Sequence, residues 1–167
     1  MASLVNQRHD WDCVIASIAM WVGVPYEDVL KMAEKCNAKL FDPEGMTTFD
    51  EYNILRKFGK DTMIIHNAYG GLSGILSLPS LNTPGGAHAV FFDKTRILDP
   101  QTGREGRKWY PELLKGTWPS CYKFRIDLKD PESALMAQAE LNSLQSHINR
   151  ATKILTMVEM KVTGNHE

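Results

Sequence analysis

The least polar stretch of the chain runs from residue 13 to residue 22, where Cys13, Val14, Ile15, Ala16, Ile18, Ala19, Met20, Trp21 and Val22 surround a single serine and Gly23 follows. An element that is apolar on all sides belongs inside a core, so this segment predicts a buried central helix ended by glycine. Residues 24–37 (VPYEDVLKMAEKCN) put Pro25 at a first-turn position and apolar residues at Val29, Ala33 and Cys36, the pattern of a second, half-buried helix. In residues 47–59 (TTFDEYNILRKFG), Thr48 and Glu51 have the spacing of a capping box and Gly59 stands as the stop of a third helix. After Gly59 the period changes. The segments 62–66 (TMIIH), 74–78 (GILSL), 87–92 (AHAVFF), 96–99 (RILD) and 121–126 (CYKFRI) are short, rich in β-branched and aromatic residues, and separated by Gly, Pro and Asn, which predicts strands. Helices first and an antiparallel sheet afterwards describe an α+β fold.

Residues 127–132 (DLKDPE) read as a hinge into a long last helix. There the apolar positions Ala134, Ala137, Leu141, Leu144, Ile148, Ala151, Leu155, Val158 and Val162 follow one another in alternating steps of three and four, an a/d heptad seam. About 30 residues at 1.5 Å each make a helix of ~45 Å, whereas a domain of about 125 residues is only ~35 Å across. The helix is therefore expected to overhang and to offer residues 131–162 to a second copy or to a partner helix. The chain divides accordingly into a domain over residues 1–127 and an association helix with its tail over 128–167.

Composition narrows the classes of function. A chain of 167 residues with a net charge of −1 and 43% hydrophobic residues is an ordinary globular protein, long enough to bury roughly 70% of its unfolded surface. Near-neutral charge argues against nucleic acid or an anionic membrane as the main partner, and the basic run 103–108 (GREGRK) reads as a solvated loop. The first ten residues have neither the basic start nor the apolar core of a signal peptide, and no apolar run reaches the ~20 residues that span a bilayer. Three cysteines, Cys13, Cys36 and Cys121, with no CxxC spacing suit neither a disulfide framework nor a zinc ribbon, so the expectation is reduced thiols in the cytoplasm, with no metal and no cofactor.

The candidate chemistry gathers around two short segments. In residues 88–99 (HAVFFDKTRILD), a two-residue turn at Asp93–Lys94 would pair Phe92 with Thr95 and set His88 directly opposite Asp99, close enough for imidazole and carboxylate to hydrogen-bond. Cys13 heads the apolar helix, where the partial positive charge of a helix N-terminus favours a thiolate, and a neighbouring imidazolium would favour it further. Asp12 is expected to cap that helix through its side chain, and its place beside Cys13 makes it a candidate substrate-binding group. Gln7, six residues before the cysteine, is a candidate side-chain donor to an oxyanion. The Gly-rich loop before His88, with Gly85 and Gly86, would let a substrate backbone approach closely. Trp109 and Trp118 are core aromatics or one wall of the cleft. His9, four residues before Cys13, raises a zinc site if both lie on one helix face, but Cys36, His66 and Cys121 lack supporting spacing. His147 and His166 read as structural or solvent-exposed, and Cys36 and Cys121 as small core hydrophobes.

Gln-x5-Cys at the head of a buried helix, a strand histidine in HAVFF and the aspartate of DPQTG together resemble the papain-like cysteine peptidases. The nearest group is the bacteriocin-processing, double-glycine-leader peptidases and their stand-alone relatives, matched by Gln7, Asp12–Cys13, Ala16, Met20, His88 and Asp99. GMTTFDEYNILRKFG resembles the segment that follows the cysteine helices in that group, and the resemblance spans residues 5–126. Val14 stands where the group usually carries glycine. The resemblance implies a papain-like fold and hydrolysis of peptide or other amide bonds. Cys13 would be the nucleophile, His88 the base and acid, Asp99 the group that orients His88, and Gln7 the oxyanion donor. Two other readings stay open: the same fold used as a catalytically silent binding module, and an interaction protein whose working part is residues 131–162.

Overall fold

In the computed structural model, residues 2–40, 46–65, 72–80, 86–101 and 123–163 are described. Helix α1 (Cys13–Val22) has the predicted bounds, with eight of its ten residues buried, and it ends at Gly23, whose φ of +77° suits glycine and whose N–H donates to Ala19. Helix α2 (Tyr26–Lys35) is two residues shorter at each end than its sequence pattern, and Pro25 stands outside it as the N-cap instead of in the first turn. Helix α3 (Thr48–Lys57) begins one residue earlier than expected: the capping box is Thr47 with Asp50, not Thr48 with Glu51. Aspartate closes the box, because its carboxylate reaches both the N–H and the hydroxyl of Thr47. Glu51 is thereby released to turn inward, where it lies 3.0 Å from Arg125 Nε and is only 8% exposed. Arg125 also donates to Thr62 Oγ1 and to the Thr48 carbonyl, tying α3 to the sheet.

The strands are β1 (Thr62–Ile65), β2 (Ser73–Pro79), β3 (Ala87–Asp93), β4 (Ile97–Leu98) and β5 (Lys123–Asp127), paired antiparallel in the order β1-β5-β2-β3-β4. The protein is thus α+β. Side chains alternate across the sheet and define two cores. Ile75, Ala89 and Phe91 face α1, α2 and α3, while Leu76, Val90, Phe92, Phe124 and Ile126 face the other way. Helix α4 (Pro131–Thr163) closes that second core with Ala137 in its second turn. The predicted hinge is a tied turn: Asp127 Oδ1 accepts from the N–H groups of Asp61 and Lys129, the Leu128 N–H donates to Asp61, and Lys94 bridges Asp130 and Glu132.

The β3–β4 hairpin departs from the expected register. Phe92 faces Ile97, not Thr95, and Phe91 faces Leu98, so the turn proper is Lys94–Thr95. Asp93 sets this register: its carboxylate accepts from the N–H and hydroxyl of Thr95 and from the N–H and Nε of Arg96. Lys94 takes a φ of +79°, the left-handed backbone that such a tight turn demands. Of the other sequence expectations, His66, Gly85, Trp109, Trp118, Cys121 and His166 lie outside the described residues.

Gly74 sits where β2 passes β5. A Cβ there would lie 2.0 Å from the Arg125 carbonyl oxygen and 2.9 Å from the Phe124 ring. The first contact is backbone in the middle of the sheet and cannot rotate away. Gly74→Ala is expected to destabilise the protein by about 1–3 kcal/mol or more, read as a lower urea midpoint at unchanged slope. A wild-type midpoint would show that β2 and β5 are not packed this closely.

Candidate active site

The site forms where the β3–β4 ladder stops. In the observed register the residue after the Phe91–Leu98 pair that should exchange hydrogen bonds with Ala89 is Pro100, which has no N–H to offer. The ladder ends, and both backbone groups of Ala89 turn to α1. Its N–H donates to Cys13 Sγ at 3.5 Å, and its carbonyl accepts from Ser17 Oγ at 3.1 Å. Cys13 and Ser17 are one turn apart, so a single strand residue seats the first turn of α1 at two points. The sulfur consequently lies off the free edge of β3, in line with a backbone N–H.

His88, the preceding residue, hydrogen-bonds through Nε2 to Asp99 Oδ1 at 2.8 Å. The two are diagonal neighbours in the hairpin rather than directly opposed. A register displaced by two residues keeps the same face, so the expected pair survives the change in turn. Asp99 is 4% exposed, and its Oδ1 also accepts the Gln101 N–H at 2.8 Å, which fixes the carboxylate against rotation. With Nε2 committed to Asp99, the remaining influence on the ring comes from Cys13, whose thiol favours the charged imidazole. Burial pushes the imidazole toward its neutral form. The hydrogen bonds to Asp99 and Cys13 and the negative charge on both partners outweigh it, and the pKa rises to about 9. At neutral pH the ring is therefore an imidazolium between two acceptors of its charge, beside a sulfur at a helix N-terminus. That arrangement can hold a thiolate and deliver a proton. Cys13 itself is buried, with 8% of its surface exposed.

Gln7 is brought to the same corner by Pro100, whose carbonyl accepts the Gln7 N–H at 2.9 Å. Its side-chain Nε2 donates to the His9 carbonyl at 2.8 Å, leaving one of the two amide hydrogens. Its Oε1 is buried with no hydrogen-bond partner among the described residues. A cleft of about 550 Å³ opens here, lined by Gln7, Arg8, His9, Asp10, Trp11, Pro100 and Gln101. It borders Gln7 and the residues after Asp99 rather than the sulfur directly.

Two sequence expectations at this end are corrected. Asp12 does not cap α1 through its side chain, and with 0% exposure it does not face a substrate. Its oxygens accept the N–H groups of Arg8 and His9 and the Tyr26 hydroxyl at 2.5 Å, so it holds the turn that carries Gln7 toward Cys13. Tyr26 is held protonated by burial and by that carboxylate. His9 does not share a helix face with Cys13, because α1 starts at Cys13 and His9 lies in the preceding turn, stacked on Trp11 with ring centroids 5.2 Å apart. Gly86, two residues before His88, accepts the Ser80 N–H at 2.8 Å and closes the β2–β3 connection. Ala89, Pro100, Tyr26 and Trp11 were not singled out from sequence. Only the DP dipeptide after the strand, a turn signal, pointed toward one of them. No protein-family model, no curated protein and no solved structure matches the chain.

The raised His88 value has a consequence for stability. A group whose folded pKa exceeds its unfolded value of 6.5 stabilises fully below 6.5, and the contribution is lost as pH rises through about 9. The unfolding free energy is expected to fall by up to about 3 kcal/mol across that window. Urea titrations from pH 6 to 10 should show the fall in the wild type and a flatter profile in His88→Gln. Identical slopes would mean that the ring is not held as an imidazolium.

Proposed function

We propose that the protein is a papain-like thiol hydrolase that cleaves peptide or other amide bonds, with Cys13 as nucleophile. The observation that carries this reading is the His88–Asp99 pair at 2.8 Å, with the Cys13 sulfur held by the N–H of the next residue, Ala89, at the N-terminus of a buried helix. A thiol, an imidazole and a buried carboxylate joined in that order divide the labour of acyl transfer. Asp99 orients the ring and supports its charge, and His88 stores the proton. The Cys13 sulfur adds to the substrate carbonyl carbon, forming a C–S bond and moving the carbonyl electron pair to oxygen. That oxyanion would meet the N–H of Cys13, one of the unpaired donors of a helix start, and the remaining amide hydrogen of Gln7. When the tetrahedral adduct collapses, the C–N bond breaks and His88 protonates the departing amine. Water, losing a proton to His88, then attacks the thioester, releases the acid and restores the thiolate and imidazolium.

The cleft lined by Gln7, His9, Trp11 and Gln101 lies on the Gln7 side of this chain and supports binding of an extended substrate. Among the described residues no single helix is long and apolar enough to cross a membrane; a reactive thiol working reduced is the ground on which we assign the cytoplasm.

A peptidyl electrophile, such as a peptide chloromethyl ketone, tests the reading directly. Cys13 should be alkylated at least tenfold faster than the half-buried Cys36, and His88→Ala should abolish the difference. Turnover on a peptide library should vanish in Cys13→Ala and drop about 10²–10⁴-fold in His88→Ala. Equal labelling of Cys13 and Cys36, unchanged by His88→Ala, would identify the fold as a silent binding module.

A further inference from the structure

Helix α4 uses one stripe for two purposes. In its first two turns, Ser133 and Ala137 are buried and Ala134 and Met136 half-buried against the domain. From Leu141 through Glu159 every residue is exposed, and the large seam residues Leu141, Leu144, Ile148, Leu155 and Val158 are between 47% and 63% exposed. Ala134 and Ala137 are a and d positions of the same heptad seam that continues as Leu141, Leu144, Ile148, Ala151, Leu155 and Val158. The domain therefore occupies the beginning of the seam and leaves its continuation bare. Beside the seam, Gln138 pairs with Asn142 and Gln145 with Asn149, each at 2.9 Å, while Leu135, Ile154 and Met157 are exposed apolar residues outside it.

We infer that the bare seam pairs with that of a second copy of this chain, antiparallel, about a two-fold axis between Asn149 and Arg150. A parallel, in-register partner would bring the two domains, each covering the seam at Ala134 and Ala137, side by side directly before Leu141. An antiparallel partner needs only residues 141–158. It sets Leu141 against Val158, Leu144 against Leu155 and Ile148 against Ala151 of the other copy, each a position meeting a d position. The pairing is isologous, closes at two subunits and holds the two domains at opposite ends of the helix pair. The 18 residues span ~27 Å, and a stripe of that length buries roughly 1,000 Å² in all, near the lower limit for a specific interface.

Sedimentation velocity on the full chain should show a monomer converting to a dimer as concentration rises to tens of micromolar. Leu144→Glu with Leu155→Glu should abolish the dimer while leaving the helical circular dichroism signal unchanged, since both residues are exposed in the single chain. Orientation is read by oxidative cross-linking with the linked peptides identified. Leu144→Cys mixed with Leu155→Cys should cross-link to each other, and neither should cross-link to itself. Self-linking of Leu144→Cys, a monomer at every concentration, or a dimer that survives the double glutamate change would each overturn the proposal. None of these readouts depends on whether Cys13 is a nucleophile, so the two proposals fail separately.

Discussion

The end of one hydrogen-bond ladder organises this protein. Because Pro100 cannot donate and gives its own carbonyl to Gln7, Ala89 is left with both a carbonyl and an N–H at the free edge of β3, and a buried strand residue must satisfy both. Helix α1 does so with Cys13 Sγ and Ser17 Oγ. An apolar helix packed on a sheet by dispersion and area alone is free to slide by a fraction of an ångström, whereas two directional contacts one turn apart fix its height and rotation. Pro100 also gives its carbonyl to Gln7, so the same proline that stops the sheet draws the N-terminal segment alongside it. The sulfur, the imidazole and the carboxylate lie where that proline stops the ladder.

Buried charge is handled differently at each place it occurs. Asp99 shares its Oδ1 between the His88 ring and the Gln101 N–H, so one buried oxygen serves both. Asp12 is sealed completely and accepts two backbone N–H groups and a tyrosine hydroxyl, which makes it a brace for the turn before the nucleophile. Arg125 and Glu51 form a buried pair far along the sheet, where burial pushes the Glu51 carboxyl up against the pull of the guanidinium. Removing one partner there would strand the other without solvent, so that pair binds α3 to β5 by the cost of separating it.

Length decides the part played by α4. Its contacts with β1 and β5 use only the first turns, because the second core is no wider than the sheet that forms it. Among the described residues nothing covers the remaining heptads. The exposed row of leucine, isoleucine and valine follows from a helix longer than its domain, as the seam arithmetic required.

Local chemistry made several features legible without a fold. The bounds of α1 followed from ten nearly uncharged residues stopped by glycine. The strand identities of 74–78 and 87–92 followed from composition. The union of His88 with Asp99 followed from hairpin parity, which tolerates a shift of two. Where two residues compete for one role, sequence could not choose between them: Thr47 with Asp50 and Thr48 with Glu51 are both capping boxes by type, and only the buried guanidinium of Arg125 explains why Glu51 serves elsewhere. The same holds for Asp12: an aspartate before a helix is normally a cap, and Tyr26 and the Arg8–His9 turn claim its oxygens only once α2 has folded back. The meeting of Cys13 with His88 joins residues 75 positions apart in the chain and depends on the height at which α1 is seated on β3. Spacing in a sequence carries no information about such a height; it is fixed by which backbone groups remain unpaired when the sheet is complete.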